Sequence, residues 1–582
     1  MLVALPLGSY FNLLRQYLRP QWPRVAWLGI LLLLEIGLQL LNPQILRSFI
    51  DTATANGALN GLLRLAAFFI GVAFVAQLAS VAATWLGENV GWTATNALRK
   101  HLADHCLRLD LAFHKKRTPG ELIQRIDGDV DALSTFFSQF IIGIVSNLVL
   151  LVGVLALLFR EDWRVGLALG LFAFTALAVL LLLRSVAVPT LAASRERSAQ
   201  FFGFLGEHLA STEDIRANGA TGFVVRSFTG QLQGWLPLQR KASLLMYTMW
   251  MTTIGLFALG NAVTFGISAA LWSSKTISLG TVYMIFFYTE LLIRPINQIR
   301  SQMQDLQKAG ASIGRISELQ AIQPTLTDGD GPPLPSGPLA VTFDQVHFHY
   351  DDDERVLNEI SFDLAPGHIL GLLGRTGSGK TTLARLLLRL YDPTAGAVRL
   401  ADHDLRSVET ADLRRRVGIV TQDVQLFHAT IRDNLTFFNR DIADERIMAA
   451  LEELGLGAWL KKLPAGLNTE LEGDSSLSAG EAQLLAFTRL FLADPGLVIL
   501  EEASSRLDPA TEQLIERAIT RLLAGRTGVI IAHRLATVQR ADEIMILDQG
   551  VIVEHGPRQT LTDDPQSRFA ALLRAGIMEV LA

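Results

Sequence analysis

Apolar residues are distributed unevenly along this chain. In the first half they form long runs, whereas in the second half short apolar stretches alternate with polar ones. A helix crosses a bilayer with about 20 mostly apolar residues, and its backbone must satisfy its own hydrogen bonds, so each long run predicts a membrane-spanning helix. The predicted spans are residues 25–45, 63–85, 140–158, 165–183, 246–271 and 279–293.

Charged residues predict how these spans are oriented. Two long loops, residues 86–139 and 184–245, are rich in Lys and Arg, whereas the loops on the opposite side are short and carry few of them. Because cytoplasmic loops are enriched in Lys and Arg, we expect both long loops and both termini in the cytoplasm. Apolar residues recur at helical spacing within the long loops, which predicts that the spans continue as helices beyond the bilayer.

Composition narrows the classes of function. The 582 residues are 50% hydrophobic with a net charge of −5, and their mean hydropathy is +0.32. The small net charge gives no reason to expect a nucleic-acid partner. The single cysteine, Cys106, excludes an intrachain disulfide framework and is typical of a reducing, cytosolic setting. The first apolar run is too long for the core of a signal peptide, so we expect it to be retained as a span.

The second half begins after a segment rich in glycine and proline, residues 328–338. Beyond it, strand-like stretches alternate with helical patterns such as TTLARLLLRLY, which predicts a largely parallel sheet with flanking helices. We therefore expect a membrane domain (1–320), a linker (321–338) and a nucleotide-binding domain (339–582). The predicted strands are VTFDQVHF, HILGLLG, VGIVTQ, LVILEE, TGVIIAH and EIMILD.

The run GRTGSGKT follows a predicted strand and precedes a helix, which is the context of a phosphate-binding P-loop. Its glycines let backbone N–H groups face phosphate oxygens at the positive end of the helix. Lys380 would contact the β- and γ-phosphates, and Thr381 would place its hydroxyl on Mg²⁺. The sequence therefore predicts a site for ATP and Mg²⁺. Its residues are Gly374, Arg375, Thr376, Gly377, Ser378, Gly379, Lys380, Thr381 and Thr382.

Further motifs distinguish this P-loop from that of a soluble kinase. VTQD, LSAGE, LVILEE, SSRLD and IIAHR follow it in that order, and the predicted spans precede it. In these features essentially the whole chain resembles the ATP-binding cassette (ABC) transporters, specifically exporter half-transporters. The resemblance implies a membrane α-helical bundle, with six transmembrane helices and long cytoplasmic extensions, followed by an α/β P-loop ATPase cassette.

The resemblance also implies roles for single residues. Tyr350 matches the aromatic residue that stacks on adenine, and Gln422 of VTQD matches the glutamine that links the γ-phosphate and Mg²⁺ to the membrane domain. Glu502 of LVILEE matches the general base that orients the attacking water. His533 of IIAHR matches the histidine that contacts the γ-phosphate, and Asp508 ends the segment that matches the family's D-loop.

LSAGE, residues 477–481, resembles the family's signature motif. Ser478, Ala479, Gly480 and Glu481 would open a helix and bind the γ-phosphate of ATP held by an opposite cassette. The motif departs from the commoner LSGGQ, and Ala479 is compatible with it only if its φ is negative.

Glu501 is the main departure from the family pattern, because it stands where aspartate usually binds Mg²⁺ through water. The additional methylene group either slows hydrolysis or is absorbed by local backbone shifts. Arg506 replaces the more usual alanine of SSRLD, and the segment TELEGDSS before the signature is shorter than the family's.

Two cytoplasmic segments, around residues 113–121 and 211–218, match the family's positions for short helices that contact the cassettes. ATP between two cassettes would draw these helices together and shift the spans between inward- and outward-facing states. Ionisable residues inside spans are costly and are functional candidates. Glu35, Glu290 and their polar companion Asn261 are therefore candidates for a substrate cavity, the alternative being an interhelical hydrogen bond or an interfacial position.

Together these features predict ATP-driven export of hydrophobic or amphipathic compounds (drug, lipid or peptide) by alternating access. The alternative is an ATP-gated channel or regulatory subunit that uses the same parts without pumping. One cassette and six spans make half of a transporter, so we expect a dimer, and the departures at Ala479, Glu501 and Arg506 favour a heterodimer over a homodimer. The expected setting is the plasma (inner) membrane of a bacterium.

Overall fold

The computed structural model describes residues 15–139, 143, 145–350, 355–473, 477–501, 509–532 and 538–575. The chain divides into two units. The membrane unit consists of Met1–Leu107 and Pro119–Ile322, and the cassette unit consists of Arg108–Thr118 and Gln323–Ala582. A short stretch of the first long loop therefore belongs to the cassette unit, as the resemblance implies for a helix that contacts a cassette.

The described part of the membrane unit is built on long helices of 33 to 53 residues. A helix of 50 residues is about 75 Å long, whereas the hydrocarbon core of a bilayer is about 30 Å thick. The predicted helical extensions beyond the bilayer are thus confirmed. The helices are α1 (Trp22–Thr54), α2 (Leu59–Arg108), α3 (Leu111–Lys115, in the cassette unit), α4 (Pro119–Ile123), α5 (Asp129–Gln139), α6 (Ser146–Glu161), α7 (Trp163–Ala210), α8 (Thr212–Ala217), α9 (Thr221–Ser273) and α10 (Leu279–Ala321).

Most of the predicted spans correspond to described helices of suitable length and composition. Among the described residues, four helices are long and apolar enough to cross a membrane: Arg15–Thr54, Leu59–Arg108, Trp163–Ala210 and Thr221–Ser273. A shorter apolar stretch, Leu279–Ile293, opens α10. The third predicted span begins outside the described residues and continues in α6. Large apolar side chains stay exposed along these helices, as expected of a surface that faces lipid; they include Trp27, Phe74, Trp85 and Phe174.

An apolar cluster joins five helices of the membrane unit. It takes Ile36 from α1, Val154 from α6, Leu169 from α7, Leu271 from α9 and Tyr288 from α10, all buried. Side chains from five helices therefore share one core, and the remaining faces are left for lipid or for a partner.

At the end of the unit where α9 turns into α10, polar contacts join three helices. Arg47 of α1 donates to Glu161 of α6 at 2.8 Å. Asp51 of α1 accepts a hydrogen bond from the Ser278 hydroxyl at 2.7 Å and another from the Gly280 N–H at 2.9 Å. A Cβ at Gly280 would lie 2.6 Å from an Asp51 carboxylate oxygen and closer still to the Arg47 carbonyl oxygen. Glycine is therefore required for α10 to approach α1 this closely.

Toward the other end, a buried carboxylate joins α5 to α10. Asp129 is 2% exposed. It accepts hydrogen bonds from Arg315 Nε at 2.8 Å and from the Ser312 hydroxyl at 3.0 Å. Its charge is therefore paired and hydrogen-bonded, as burial requires.

The cassette unit combines strands with shorter helices. The strands are β1 (Val341–His349), β2 (Arg355–Leu364), β3 (Ile369–Gly374), β4 (Ala395–Leu400), β5 (His403–Asp404), β6 (Val417–Val420), β7 (His428–Thr430), β8 (Glu470–Glu472), β9 (Leu497–Glu501), β10 (Thr527–Ile531), β11 (Glu543–Asp548) and β12 (Val551–Pro557). The described helices are α11 (Lys380–Leu387), α12 (Thr410–Arg416), α13 (Ile431–Thr436), α14 (Asp444–Glu453), α15 (Gly457–Leu460), α16 (Ala479–Ala493), α17 (Pro509–Leu523), α18 (Arg558–Asp563) and α19 (Arg568–Ala575).

The main sheet of the cassette has six strands in the order β12-β11-β3-β10-β9-β6. All neighbouring pairs are parallel except β11 and β12. The predicted, largely parallel sheet is thus confirmed.

The strand VTFDQVHF, which we predicted alongside the parallel strands, instead lies in a second sheet. It forms β1 of a four-stranded antiparallel sheet with the order β2-β1-β4-β5. Only residues 350–354 separate β1 from β2, which is too few for the crossover that parallel pairing needs. The segment was correctly predicted to be a strand, but it does not belong to the parallel sheet.

Side chains alternate across the main sheet, so that both of its faces are buried. Leu372 and Ile499 enter one apolar cluster, and their neighbours Leu373 and Leu500 enter the other. This alternation is the period of two expected of a strand. With both faces covered, a ligand can reach the sheet at the ends of its strands.

The segment rich in glycine and proline packs on the cassette unit. Asp328 accepts a hydrogen bond from the Thr410 N–H at 2.6 Å. Leu334 is 2% exposed, and its N–H donates to the buried Asp412 at 2.7 Å. This part of the predicted linker 321–338 therefore contributes to the cassette core.

Candidate functional site

The carboxyl ends of the parallel strands meet at one edge of the main sheet. β3 runs into the P-loop, β9 ends at Glu501, and Gln422 follows β6. Only β10 lies between β3 and β9. Open sheets of this type bind ligands at this edge. Segments far apart in the sequence are thus placed side by side by the strand order.

Two glycines shape the P-loop where no other residue fits. Gly374 has a φ of +151° and Gly379 a φ of +106°, conformations that side chains disfavour. A Cβ at Gly379 would lie 2.6 Å from the Leu357 side chain, and one at Gly374 would clash with the Leu547 carbonyl oxygen. The loop is therefore pressed against the antiparallel sheet and β11.

Lys380 and Ser378 are buried in the loop, and both have hydrogen-bond donors that could bind an anion. Lys380 is 6% exposed, and its Nζ donates to the carbonyl oxygens of Gly374 at 2.7 Å and Arg375 at 3.0 Å. Burial lowers the pKa of this lysine, and the Glu501 carboxylate acts in the opposite direction. The Ser378 hydroxyl is buried without a hydrogen-bond partner among the described residues. A phosphate would supply an acceptor for the Ser378 hydroxyl and for the third donor of the Lys380 ammonium group, so the loop fits a phosphate.

Thr381 and Glu501 join the P-loop to β9. The Thr381 hydroxyl donates to Glu501 Oε1 at 2.8 Å. A hydroxyl that gives its proton to a carboxylate keeps its lone pairs for a cation, and oxygen ligands of this kind suit Mg²⁺. The longer side chain of Glu501 thus reaches the Thr381 hydroxyl, which is the group expected to bind Mg²⁺ together with a carboxylate. This contact favours the interpretation that the additional methylene group is accommodated locally.

The outer part of the loop is open to solvent. Arg375, Thr376 and Gly377 are exposed, as is Gln422 beyond β6. These residues are thus accessible to a bound nucleotide. The predicted residues Glu502, Asp508 and His533, together with Arg506, lie outside the described residues.

Tyr350 is held beside the P-loop helix by its hydroxyl group. Arg385 donates to this hydroxyl at 3.1 Å, and Thr382 Oγ1 lies 2.9 Å from it. Because guanidinium groups only donate, the tyrosine proton is available for Thr382. The tyrosine ring also meets the Phe348 and Tyr391 rings edge-on, at centroid distances of 4.8 and 5.2 Å. The position of the ring is therefore set by contacts on several sides.

Lys115 covers the ring of Tyr350. Its Nζ lies 4.2 Å from the Tyr350 ring centroid and 5.7 Å from that of Tyr391. Lys115 ends α3, the short helix from the first long loop. The sequence predicted a helix near this position but gave no sign that its last lysine would meet the proposed adenine-stacking residue.

The segment LSAGE opens α16, as expected. Ser478 is its N-cap, and Ala479 is its first residue and is absent from the positive-φ positions. The condition set for Ala479 is thus met. Glu481 Oε2 accepts hydrogen bonds from the Ser478 N–H at 2.9 Å and from its hydroxyl at 2.8 Å. A capping box therefore satisfies the groups that the resemblance assigns to a phosphate.

The polar candidates in the membrane unit fall into two separate places. Asn261 Nδ2 of α9 donates to Glu290 Oε1 of α10 at 2.8 Å, which is the interhelical hydrogen bond considered as the alternative. Glu35 lies elsewhere and lines a cavity; its Oε1 accepts a hydrogen bond from Gln39 at 3.0 Å.

Two family models match the chain, in the same order as its two units. The ABC transporter transmembrane region matches residues 25–296. The ABC transporter model matches residues 357–505, which include the P-loop, the signature segment and β9.

Similar proteins match over most of the chain. The uncharacterized ABC transporter ATP-binding protein YknV of Bacillus subtilis is 30% identical, over 94% of this chain and 91% of its own. ATP-dependent lipid A-core flippase 1 of Colwellia psychrerythraea is also 30% identical, with coverages of 87% and 86%. A multidrug resistance ABC transporter ATP-binding and permease protein of Lactococcus lactis is 28% identical, with coverages of 90% and 88%.

A solved structure has the same fold. It is a bacterial Atm1-family ABC exporter with ATP bound, which matches with a TM-score of 0.80 over 95% of this chain and 99% of its own. At 24% sequence identity this likeness shows the fold alone, which is a transmembrane domain followed by an ATPase domain.

The Glu501→Gln variant should lose affinity for Mg²⁺ while it keeps its affinity for free nucleotide. The amide still accepts a hydrogen bond from Thr381 but has no charge to offer a cation. A contact with a charged group contributes about 1.5–3 kcal/mol, so the half-saturating Mg²⁺ concentration for binding of a fluorescent ATP analogue should rise at least about tenfold. Binding in excess EDTA should change by less than about twofold.

The matched control for Glu501→Gln is Glu501→Asp, which keeps the charge but shortens the side chain. The Mg²⁺ concentration that Glu501→Asp requires should lie between that of the wild type and that of Glu501→Gln. An unchanged Mg²⁺ requirement in Glu501→Gln would show that Glu501 does not act on the metal.

The Lys115→Gln variant should bind nucleotide more tightly than the wild type. An adenine that stacks on the covered face of Tyr350 must displace the Lys115 ammonium group, and a cation–π contact at an exposed site is worth about 0.5–1 kcal/mol. We therefore expect a dissociation constant for the fluorescent ATP analogue that is about two- to fivefold lower. Lys116→Gln, one residue along, is the control and should leave it unchanged. Weaker binding in Lys115→Gln would mean that Lys115 contacts the nucleotide itself.

Proposed function

This chain belongs to the ABC transporters, a family in which ATP hydrolysis is coupled to transport, and from that premise we infer that it exports hydrophobic or amphipathic compounds by alternating access. It is an integral membrane ATPase of the exporter type. What we propose is its cargo class, its partner, its metal, its orientation and the roles of single residues.

The observation that carries the proposal is the Thr381–Glu501 contact at the carboxyl end of the parallel sheet. The same chain contains helices of bilayer-spanning length. A P-loop hydroxyl and a β9 carboxylate in hydrogen-bond contact form half of a magnesium and triphosphate site. In the proposed mechanism, Lys380 leaves its loop carbonyls for the β- and γ-phosphates, and Gly374, Gly377 and Gly379 present backbone N–H groups. Mg²⁺, when bound, neutralises charge on the phosphates.

We assign hydrolysis to residues that follow the ends of β9, β10 and β6 in the sequence. Glu502 directly follows the last residue of β9, from which position it would orient the attacking water. His533, two residues beyond β10, would contact the γ-phosphate, and Gln422 would carry the state of the site to the membrane unit. Tyr350 would stack on adenine, and Asp508 would help to close the site.

The ATP site is proposed to be composite. Ser478, Ala479, Gly480 and Glu481 would face the γ-phosphate held by an opposite cassette. Because Glu481 accepts the Ser478 N–H and hydroxyl, this carboxylate must turn away before a phosphate can take its place. ATP would thus favour the closed pair of cassettes by differential binding, which is the only way in which a ligand shifts such an equilibrium.

Half-transporters of this family function as dimers, and we propose that this chain pairs with a related half-transporter. The departures at Glu501 and Arg506 support a heterodimer. Ala479 and Glu501 support it less than Arg506 does, since the helical backbone suits alanine and the Glu501 carboxylate still reaches Thr381. For orientation, the Lys and Arg content of the two long loops supports a cytoplasmic cassette and cytoplasmic termini, in a bacterial plasma membrane.

Transport in proteoliposomes tests the function directly. We expect ATP added to the cassette side to drive uptake of at least one compound from a panel of fluorescent amphipathic dyes and short-chain labelled lipids. Glu502→Gln, an isosteric change, should lower the ATPase rate by about a hundredfold or more and abolish uptake while ATP binding persists. Steady wild-type ATPase without movement of any compound, or ATP-dependent ion leak, would favour the regulatory subunit or channel instead.

Co-purification tests the pairing. Tagged and untagged copies of this chain are expressed together in their host, and the tagged copy is captured. We expect a related half-transporter to be recovered in equal amount and the untagged copy to be absent. Recovery of the untagged copy, with full ATPase activity from this chain alone, would establish a homodimer.

A further inference from the structure

A small cavity in the membrane unit is lined mostly by polar side chains. We call it the Glu35 cavity. Its volume is about 130 Å³, and it lies between α1, α2, α6 and α10. Its polar lining comes from Glu35, Gln39, Ser80, Thr84, Ser146 and Asn147, with Gln298 at one side. A concentration of polar groups between helices that otherwise present apolar residues indicates a functional site.

The Glu35 cavity lies toward the predicted cytoplasmic side of the spans. Glu35 is the middle residue of the predicted span 25–45, whereas Thr84 and Asn147 lie near the predicted cytoplasmic ends of the second and third spans. Glu35 is about 15 Å from either end of its own span. The cavity is therefore placed between the middle of the first predicted span and the predicted cytoplasmic ends of its neighbours.

Charge within the Glu35 cavity is not balanced by its described lining. Glu35 accepts a hydrogen bond from Gln39 at 3.0 Å, and the described lining residues include no Lys, Arg or His. The Ser146 hydroxyl is buried without a partner among the described residues. Asn147, 7% exposed, is engaged with Gln298. The described lining therefore offers hydrogen-bond acceptors and a carboxylate, and includes no cationic side chain.

The size of the Glu35 cavity limits what it can hold. Pockets for drug-sized ligands measure about 300–1,000 Å³, whereas 130 Å³ is about the volume of four waters in the liquid. The cavity thus suits a head group rather than a whole molecule. Leu32, Ile36 and Leu150 form its apolar wall, along which a hydrocarbon tail could continue.

From these observations we propose that the Glu35 cavity binds the protonated amino head of an amphipathic cargo, with Glu35 as its counter-ion. An ammonium group supplies three donors and one positive charge, which match the carboxylate, the Ser146 hydroxyl and the amide oxygens around it. The inference rests on the proposed export function and assigns it a cargo class. Glu290 differs from Glu35, because it already accepts from Asn261 and does not line the cavity.

Binding of two matched probes tests the counter-ion. The full chain, with its partner if it has one, is placed in phosphatidylcholine nanodiscs and titrated with a tail-labelled fluorescent decylamine or with the decanol of the same label. Comparison between variants in identical discs cancels the partitioning of each probe into lipid. We expect Glu35→Gln to weaken binding of the amine by about tenfold and to change binding of the alcohol by less than about twofold.

Two further variants separate charge from folding. Glu35→Asp keeps the charge and should retain part of the preference for the amine. Glu290→Gln makes the same chemical change outside the cavity and should retain all of it. An unchanged preference in Glu35→Gln, an equal loss of both probes, or a loss in Glu290→Gln alone would overturn the proposal.

The result is distinguishable from a failure of the export function. Wild-type proteoliposomes are also tested for ATP-driven uptake of the labelled amine. If the probe binds with the Glu35-dependent preference but is not moved by ATP, the export proposal fails and the binding site stands. If other compounds are exported while the amine shows no such preference, the export function stands and the counter-ion role is rejected.

Discussion

Parallel pairing of β3, β10 and β9 is the constraint on which the ATP site depends. These strands are buried on both faces, so their carboxyl ends are held at one edge by the whole core of the cassette. The P-loop leaves β3 at that edge, and Glu501 ends β9 there. The hydrogen bond between Thr381 and Glu501 follows from this register. The strand that carries Glu501 delivers its carboxylate to the threonine, which favours local accommodation of the additional methylene group.

The membrane unit obeys a different constraint, which is that polar groups between helices must find partners. Asp51 takes the Ser278 hydroxyl and the Gly280 N–H, and Glu290 takes Asn261. Each of these carboxylates has a partner on another helix. Glu35 stands apart, since Gln39, which donates a hydrogen bond to it, is on its own helix and in the same cavity. This contrast, more than the presence of a charge in a span, distinguishes a binding site from a packing contact.

Local sequence patterns predicted much of this structure. The remaining features depend on side-chain contacts, most of them between residues far apart in the sequence. The P-loop was predictable because its strand, glycines and helix are contiguous. The parallel strands were predictable because alternation of strands and helices forces crossovers. The partners of β1, the contact of Lys115 with Tyr350 and the capping of Ser478 by Glu481 depend on which side chains meet after folding. Of these, the capping box alone had a local signal, a serine followed three residues later by a glutamate. Likewise, no sequence pattern in the spans distinguishes Glu35 from Glu290. The two differ because Glu35 lines the cavity and Glu290 does not.

The contact at Gly280 has a mechanical consequence. With no room for even one carbon atom between α10 and the Arg47 carbonyl oxygen, sliding of these ends of α1 and α10 past one another would bring bulkier residues into collision with the backbone. Bending within the helices is a less costly way to rearrange the unit. Pro43 in α1 and Pro295 in α10 each remove a ladder hydrogen bond, so bending is least costly there. Pro189 in α7 and Pro237 in α9 are further positions of this kind, so four of the described long helices can bend at a proline while the contact at Gly280 is kept.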